Sequence, residues 1–157
     1  MPCVLRAAVE DGESLERFLR ATTLPITKVY RPGELGFRTI RGKRRRVRIP
    51  SVNIHVAGGG WDNLNHQVRG GKGFLVRHAA DLRRLRWILH SSGWVLDFGV
   101  QEPGPDIAIE CHVIPVDVIR LAAAFEMQLE LSIYRYFEVD RRRTKRSTGR
   151  GTATREK

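Results

Sequence analysis

Residues 61–89 read WDNLNHQVRGGKGFLVRHAADLRRLRWIL, and the apolar side chains in this stretch recur at helical spacing. The pattern predicts one long amphipathic helix over residues 61–89, which the chain enters abruptly after Gly58-Gly59-Gly60. Gly71 fills the one gap in the apolar stripe. Because such a stripe needs an apolar surface to cover, the short strands on either side are expected to form a sheet beneath it. The members of the stripe are Leu64, Val68, Leu75, Ala79, Leu82, Leu85 and Leu89.

Alternation of apolar and polar residues predicts strands on both sides of this helix. The alternation is clear over residues 4–10, 52–56, 94–100 and 129–133. In the last of these strands, Leu129, Leu131 and Ile133 are expected to face inward. Further strands are expected over residues 26–31, 37–40 and 107–113, and short helices over residues 14–20 and 118–125.

The predicted order is β-α-β-β-α-β, followed by β-α-β. Its first six elements match the split βαβ (ferredoxin-like) plan. The expected fold is therefore α+β, with an antiparallel or mixed sheet, an added βαβ unit and the helices on one face. Residues 1–140 are expected to form a single domain, and residues 141–157 a basic tail of disordered composition.

Charge and composition narrow the functional classes. The chain of 157 residues carries a net charge of +11, and residues 141–157 contain eight Lys/Arg but one Glu. No apolar run approaches the ~20 residues that span a membrane, and the first residues lack the layout of a signal peptide. The two cysteines have no metal-binding or disulfide-framework spacing. These features favour a cytoplasmic protein with no membrane partner, no metal and no cofactor, and a buried, inert Cys111.

Several short segments resemble a known family. They are PITKVYRPGE at residues 25–34, Gln67 in the predicted helix, LDFG at residues 96–99 and LELSIY at residues 129–134. In this order, over about residues 18–134, they resemble the bacterial domain-of-unknown-function family numbered 4279. The resemblance implies a small, single-domain bacterial protein without an assigned activity, so no catalytic residue is carried over. The basic run at residues 43–48 and the basic tail depart from the family.

The polar residues that alternate with the apolar ones are expected to share the sheet face away from the helices. Three interpretations of this face stay open: a solvated surface, a polar binding surface and a self-association surface. Nothing in the sequence fixes the separation of its histidines and carboxylates, so no metal site is predicted. The expected members are Arg6, Glu10, Asn53, His55, Asp97, Glu110, His112, Glu130, Ser132 and Tyr134.

Basic residues form a second candidate surface, because arginine and lysine clusters bind phosphate chains by releasing counterions. One cluster is expected at an exposed hairpin tip and the other in the tail. Trp61, Trp87 and Trp94 are interpreted as core or rim packing. The basic candidates are Arg41, Lys43, Arg44, Arg45, Arg46, Arg48, Arg141, Arg142, Arg143, Lys145 and Arg146.

Three functional hypotheses follow. The first is a small non-catalytic binding or regulatory domain that acts through a protein partner, for example as an immunity-like inhibitor of a toxin; a homodimer is a variant of this hypothesis. The second is a nucleic-acid-associated protein that uses the two basic clusters. The third is an enzyme on the polar sheet face, which requires Asp97, Glu110 and His112 to lie within about 10 Å of one another.

Overall fold

A computed structural model describes residues 3–38, 44–58, 60–61, 63–101 and 111–134 of the chain. Within these residues, a single 3-10 turn, Arg86–Ile88, directly precedes the strand that begins at Leu89. The strands are β1 (Cys3–Val9), β2 (Ile26–Tyr30), β3 (Leu35–Arg38), β4 (Arg44–Arg46), β5 (Ser51–Ala57), β6 (Leu89–Gln101) and β7 (Gln128–Tyr134). The helices are α1 (Gly12–Ala21), α2 (Leu64–Arg77), α3 (Ala79–Leu85) and α4 (Val116–Ala124).

Five of the described strands form one mixed sheet in the order β2-β5-β1-β6-β7. Strand β1 is antiparallel to both β5 and β6, and β2 is antiparallel to β5. Strand β7 is parallel to β6, and α4 lies between them in the chain. Strands β3 and β4 pair separately as a short hairpin. The predicted α+β class and mixed sheet are confirmed.

The two faces of the sheet follow the predicted alternation. Along β1, fully buried residues such as Leu5 and Ala7 alternate with partly buried ones such as Arg6. Along β6, Leu96 and Phe98 are buried while Asp97 is not. The buried strand residues join buried side chains of all four helices in a single apolar core. Parity along the strands therefore decides which side chains face the helices.

The predicted helix over residues 61–89 is wrong in one respect, because the chain forms two helices and a 3-10 turn there. Asn63 caps α2 by accepting a hydrogen bond from the backbone N–H of His66 at 2.9 Å. The break falls at His78, whereas the helix continues unbroken through Gly70 and Gly71. The apolar stripe is nevertheless confirmed, since each of its members is buried or partly buried against the core.

Two other expectations fail. Residues 111–113 form no strand, and residues 107–110 of that predicted strand lie outside the described part of the chain. The predicted inward face of the last strand is only partly covered, because Leu129 packs against the core while Leu131 and Ile133 are exposed. The carboxyl end of β7 therefore presents apolar side chains outward.

Candidate functional site

The sheet face away from the helices brings together part of the predicted polar set. The register places Asn53 beside Arg6, and both His55 and Asp97 beside Val4. Strand β7 adds residues from its polar side, with Glu130 opposite Asp97. Asn53, His55, Asp97 and Ser132 are all partly buried on this face.

The structure does not bring the whole predicted set to this face. His112 does not lie in a strand, so its predicted place in the sheet is wrong. Glu110 lies outside the described residues. Tyr134 lies on the polar side of β7 by register, but its ring packs on Trp61 with centroids 4.5 Å apart. Asp97 and His112 therefore do not share the sheet, and Glu110, the third group of the enzyme hypothesis, lies outside the described residues.

A cluster of one cation and two carboxylates occupies the middle of the polar face. Arg6 reaches across β6 and donates a hydrogen bond to the Glu130 carboxylate. The same guanidinium lies 3.8 Å from a carboxylate oxygen of Asp97. Ser132 donates a hydrogen bond to Glu130 at 3.3 Å. Because one cation faces two carboxylates here, the cluster retains one uncompensated negative charge when all three groups are ionised.

Asp97 is the most perturbed carboxyl of this cluster, and only 14% of its side chain is exposed. Burial raises the pKa of Asp97 above its ordinary value of 3.8, against the lowering effects of a Ser132 hydrogen bond and of Arg6; the Glu130 charge raises the pKa further. An aspartate whose native pKa is raised ionises more readily in the unfolded chain. Its ionisation therefore costs the native state stability.

The substitution Asp97→Asn is expected to raise the free energy of unfolding relative to wild type as pH increases from about 3.5 to about 7. The sign follows from the raised pKa, because the contribution of Asp97 to wild-type stability falls as pH rises through that range while asparagine does not titrate. Asp117→Asn is a control whose effect on the free energy of unfolding should change with pH in the opposite direction. The reason is that a hydrogen bond from Lys72 lowers the pKa of Asp117. Urea unfolding at several pH values measures the free energy of unfolding of both variants. If the free energies of Asp97→Asn and wild type run parallel against pH, the raised pKa of Asp97 is contradicted.

Three side-chain atoms of the polar face are buried without a hydrogen-bond partner among the described residues. They are Nε of Arg6, Nδ1 of His55 and Oδ1 of Asp97. Buried polar atoms of this kind are normally satisfied by water or by a binding partner. They lie on the three adjacent strands β5, β1 and β6.

The two cysteines differ in exposure, and the expectation of a buried Cys111 is wrong. Cys111 is exposed, because it precedes α4 in an extended segment rather than facing the core from a strand. Cys3 is fully buried in β1. Burial, with a smaller contribution from the Asp97 charge, raises the pKa of the Cys3 thiol to about 12.

One thiol per chain is expected to react rapidly with Ellman's reagent in the native protein, and two in denaturant. The reason is that reaction requires an accessible thiolate, which Cys111 can supply and Cys3 cannot. Cys111→Ser should abolish the rapid phase, and Cys3→Ser should preserve it. Two rapidly reacting thiols in the folded wild type would show that the β1 core opens readily.

The basic hairpin is confirmed in part. Arg44, Arg45 and Arg46 are exposed, but they form β4 itself rather than a tip. Arg46 donates a hydrogen bond to the carbonyl of Gly33 at 2.8 Å, which fixes the base of the hairpin. Arg48 follows β4 and is exposed. The other predicted basic candidates, Arg41, Lys43, Arg141, Arg142, Arg143, Lys145 and Arg146, lie outside the described residues.

An apolar surface that sequence reasoning missed lies on α4 and β7. Val116 and Ile119 are exposed on one side of α4, and Val113 is exposed shortly before it. A short turn joins the end of α4 to the start of β7, and the helix packs on that strand. The amino end of α4 therefore points toward the carboxyl end of β7, where Leu131 and Ile133 are exposed. We call these five residues the α4–β7 surface.

A signal for this surface was present in the sequence. The inward face of α4 contains Val118 and Ala122, and both are buried. Val116 and Ile119 lie off that face at i, i+3 spacing, so they cannot belong to the single apolar face that packs on the core. Apolar residues in excess of the core face were the available indication of an exposed patch.

Trp87 is the second feature that was misinterpreted, because its side chain is 67% exposed. The guanidinium of Arg17 stacks on its ring, with Cζ 4.7 Å from the ring centroid. Trp87 is not a member of the apolar stripe, and that position already indicates an outward side chain. Trp94, in contrast, is buried as predicted, with its ring edge-on to Phe18.

Within the described residues, no three His, Cys, Asp or Glu side chains are grouped so as to hold a metal ion. No helix in the same residues has the length and apolar character needed to cross a membrane. Comparison of the chain with protein-family models, with curated proteins and with solved structures gives no match. The resemblance to the family numbered 4279 therefore stays a prediction.

Proposed function

We propose that the chain is a small non-catalytic binding domain that acts through a protein partner. The observation that carries this proposal is the α4–β7 surface, where five apolar side chains are exposed on adjacent elements. Exposed apolar side chains that are grouped on neighbouring elements are typical of interaction sites, whereas scattered single ones are not.

The polar sheet face supports a binding role over an enzymatic one. Its central charges are engaged with one another in the Arg6 cluster, and the histidine of the enzyme hypothesis, His112, lies in no strand of the sheet. General acid–base chemistry needs groups within hydrogen-bond reach of a shared substrate. An immunity-like inhibitor is one form that such a binding domain takes.

The test compares two isoleucines of equal exposure. Ile119 lies in the α4–β7 surface and is 46% exposed, while Ile49 follows the basic hairpin and is 47% exposed. Tagged full-length protein is expected to retain a stoichiometric partner from an extract of its source organism. Ile119→Glu should weaken that complex at least about tenfold, and Ile49→Glu should leave it unchanged.

Two results decide against this proposal. If Ile119→Glu retains the partner as well as Ile49→Glu does, the α4–β7 surface is not the binding site. If light scattering shows a dimer that only Ile119→Glu converts to a monomer, the surface serves self-association instead. Both variants should unfold near the wild-type temperature, because substitutions at exposed positions change stability little.

A nucleic-acid-associated function is the second candidate, and the row of exposed arginines on β4 favours it. Arg44 and Arg46 lie on one side of β4 and Arg45 on the other. Exposed guanidinium groups of this kind suit the phosphate chain of a nucleic acid. Binding of duplex DNA should weaken steeply with salt, and the triple variant Arg44→Ala, Arg45→Ala, Arg46→Ala should reduce the slope. Binding that does not change with salt would exclude this function.

The proposal includes a finer description of the fold and setting. The order of β2, β5, β1 and β6, with all three pairings antiparallel, supports a split βαβ (ferredoxin-like) arrangement to which α4 and β7 add a parallel unit. The order of the short motifs supports membership of the family numbered 4279. The two free cysteines support a reducing, cytoplasmic setting.

A further inference from the structure

Trp87 lies where three elements meet on the helical side of the domain. Arg84 donates hydrogen bonds to the carbonyl of Ala21 and to Asp81, each at 2.7 Å, and so joins α3 to the end of α1. Thr23 donates a further hydrogen bond to Asp81 at 2.7 Å. These contacts hold the carboxyl end of α1 against α3 and bring Arg17 over the Trp87 ring.

The arginines around this ring outnumber the acids that neutralise them. Asp81 pairs with Arg84, and Glu126 with Arg86. Arg17, Arg20 and Arg83 are exposed and form no ion pair with another described residue. Arg20 lies one turn from Arg17 on α1, and Arg83 lies one turn before Trp87. An exposed indole thus stands beside Arg17, whose charge adds to the hydrogen bonds from Ser14 in lowering the pKa of Asp11, and near two further exposed arginines. The Arg83 guanidinium lies over the Phe125 ring, 5.6 Å from its centroid.

We propose that this Trp87 surface, formed by Trp87 with Arg17, Arg20 and Arg83, binds single-stranded nucleic acid. The inference goes beyond the proposed protein-binding function and does not depend on it. Stacking of a base on an exposed aromatic ring is independent of sequence, and flanking cations follow the phosphate chain. Arg17 already holds one side of the indole, which leaves a fixed ring on which a base can stack. A duplex, whose bases are already stacked, cannot use the ring in this way.

The experiment measures fluorescence anisotropy of a labelled fifteen-nucleotide oligo-dT and of a duplex of equal length with the full-length protein. Trp87→Ala is expected to weaken oligo-dT binding at least about fivefold, the lower bound for loss of one stacked base. Its effect on duplex binding should be small, and Trp87→Phe should recover part of the affinity. The hairpin variant Arg44→Ala, Arg45→Ala, Arg46→Ala is the control and should leave the ratio of the two affinities unchanged.

Salt dependence separates stacking from phosphate contacts. Trp87→Ala should keep the wild-type slope of log affinity against log salt for oligo-dT. The double variant Arg20→Ala, Arg83→Ala should reduce that slope by about 1.4, because each phosphate contact on a single strand contributes about 0.7. All substituted residues are exposed, so thermal unfolding should stay near wild type and confirm that each variant is folded.

Three outcomes overturn the proposal. The first is an unchanged ratio of oligo-dT to duplex affinity in Trp87→Ala. The second is the absence of oligo-dT binding by the wild type at low salt. The third is binding of poly-L-glutamate that is as tight as that of oligo-dT and equally sensitive to Trp87→Ala, which would identify an acidic polypeptide as the ligand.

Discussion

Replacing Gln67 with glutamate is expected to lower the free energy of unfolding by about 3–5 kcal/mol at neutral pH, the cost of an uncompensated buried charge. Gln67 is fully buried in α2, and its amide nitrogen donates to the carbonyls of Gly99 at 2.8 Å and Gly60 at 3.2 Å. These bonds join the start of α2 to β6 and to the glycine-rich connection. An ionised carboxylate in the same place would meet two carbonyl oxygens and no donor.

The pH dependence of Gln67→Glu separates charge from shape. When the introduced carboxyl is protonated, it can still donate one hydrogen bond to a carbonyl. The penalty relative to wild type should therefore be small near pH 4 and grow toward pH 7, because the native state raises the pKa of the new group. Gln67→Leu is the uncharged control; it removes both hydrogen bonds, at about 0.5–1.5 kcal/mol each, without pH dependence. Wild-type stability of Gln67→Glu at pH 7 would show that water reaches this position.

The two faces of the sheet could be predicted because parity is local to each strand. Leu5 and Leu96 face the helices, and Arg6 and Asp97 face away, as alternation alone indicates. Which polar residues touch was not predictable in this way. Arg6 reaches Glu130 only because β1 and β7 flank β6, and that order is set by packing across the whole sheet.

The helix break at His78 could not be predicted from the apolar pattern. Leu75, Ala79 and Leu82 keep a helical period across it, so both helices present the same stripe to the core. Gly70, Gly71 and Gly73 have low helix propensity, yet the break falls one turn or more beyond them. Packing holds the helix together there, since Gly71 lies against Phe98, where a Cβ would be 3.3 Å from the ring.

The exposed end of β7 follows from element lengths rather than from sequence pattern. Helix α4 has nine residues and is about 13 Å long, whereas the seven residues of β7 extend about 23 Å. The helix therefore covers Leu129 near the start of the strand and leaves Ile133 at its far end exposed. Alternation predicts which side of the sheet a side chain occupies, but not whether another element covers it.

Replacing Gly70 with alanine is expected to lower the free energy of unfolding by about 1–3 kcal/mol, the usual cost of overpacking. A Cβ built on Gly70 would lie 2.4 Å from Cβ of Ala57 in β5. That atom is attached directly to the strand backbone, so no side-chain rotation can relieve the clash. Either α2 or β5 must move, and both contribute buried side chains to the core.

Gly73 is the matched control in the same helix. A Cβ there meets no atom within 4 Å, and the position is exposed. Gly73→Ala should raise the free energy of unfolding by up to about 1 kcal/mol, because alanine is the better helix former. Urea unfolding should thus place the two variants on opposite sides of wild type. Equal stabilisation by both substitutions would mean that α2 lies farther from β5, and the close approach that excludes a side chain at Gly70 would then be wrong. The double variant Gly70→Ala, Ala57→Gly removes the second methyl and should recover stability beyond the sum of its single substitutions, since only residues in direct contact are coupled in this way.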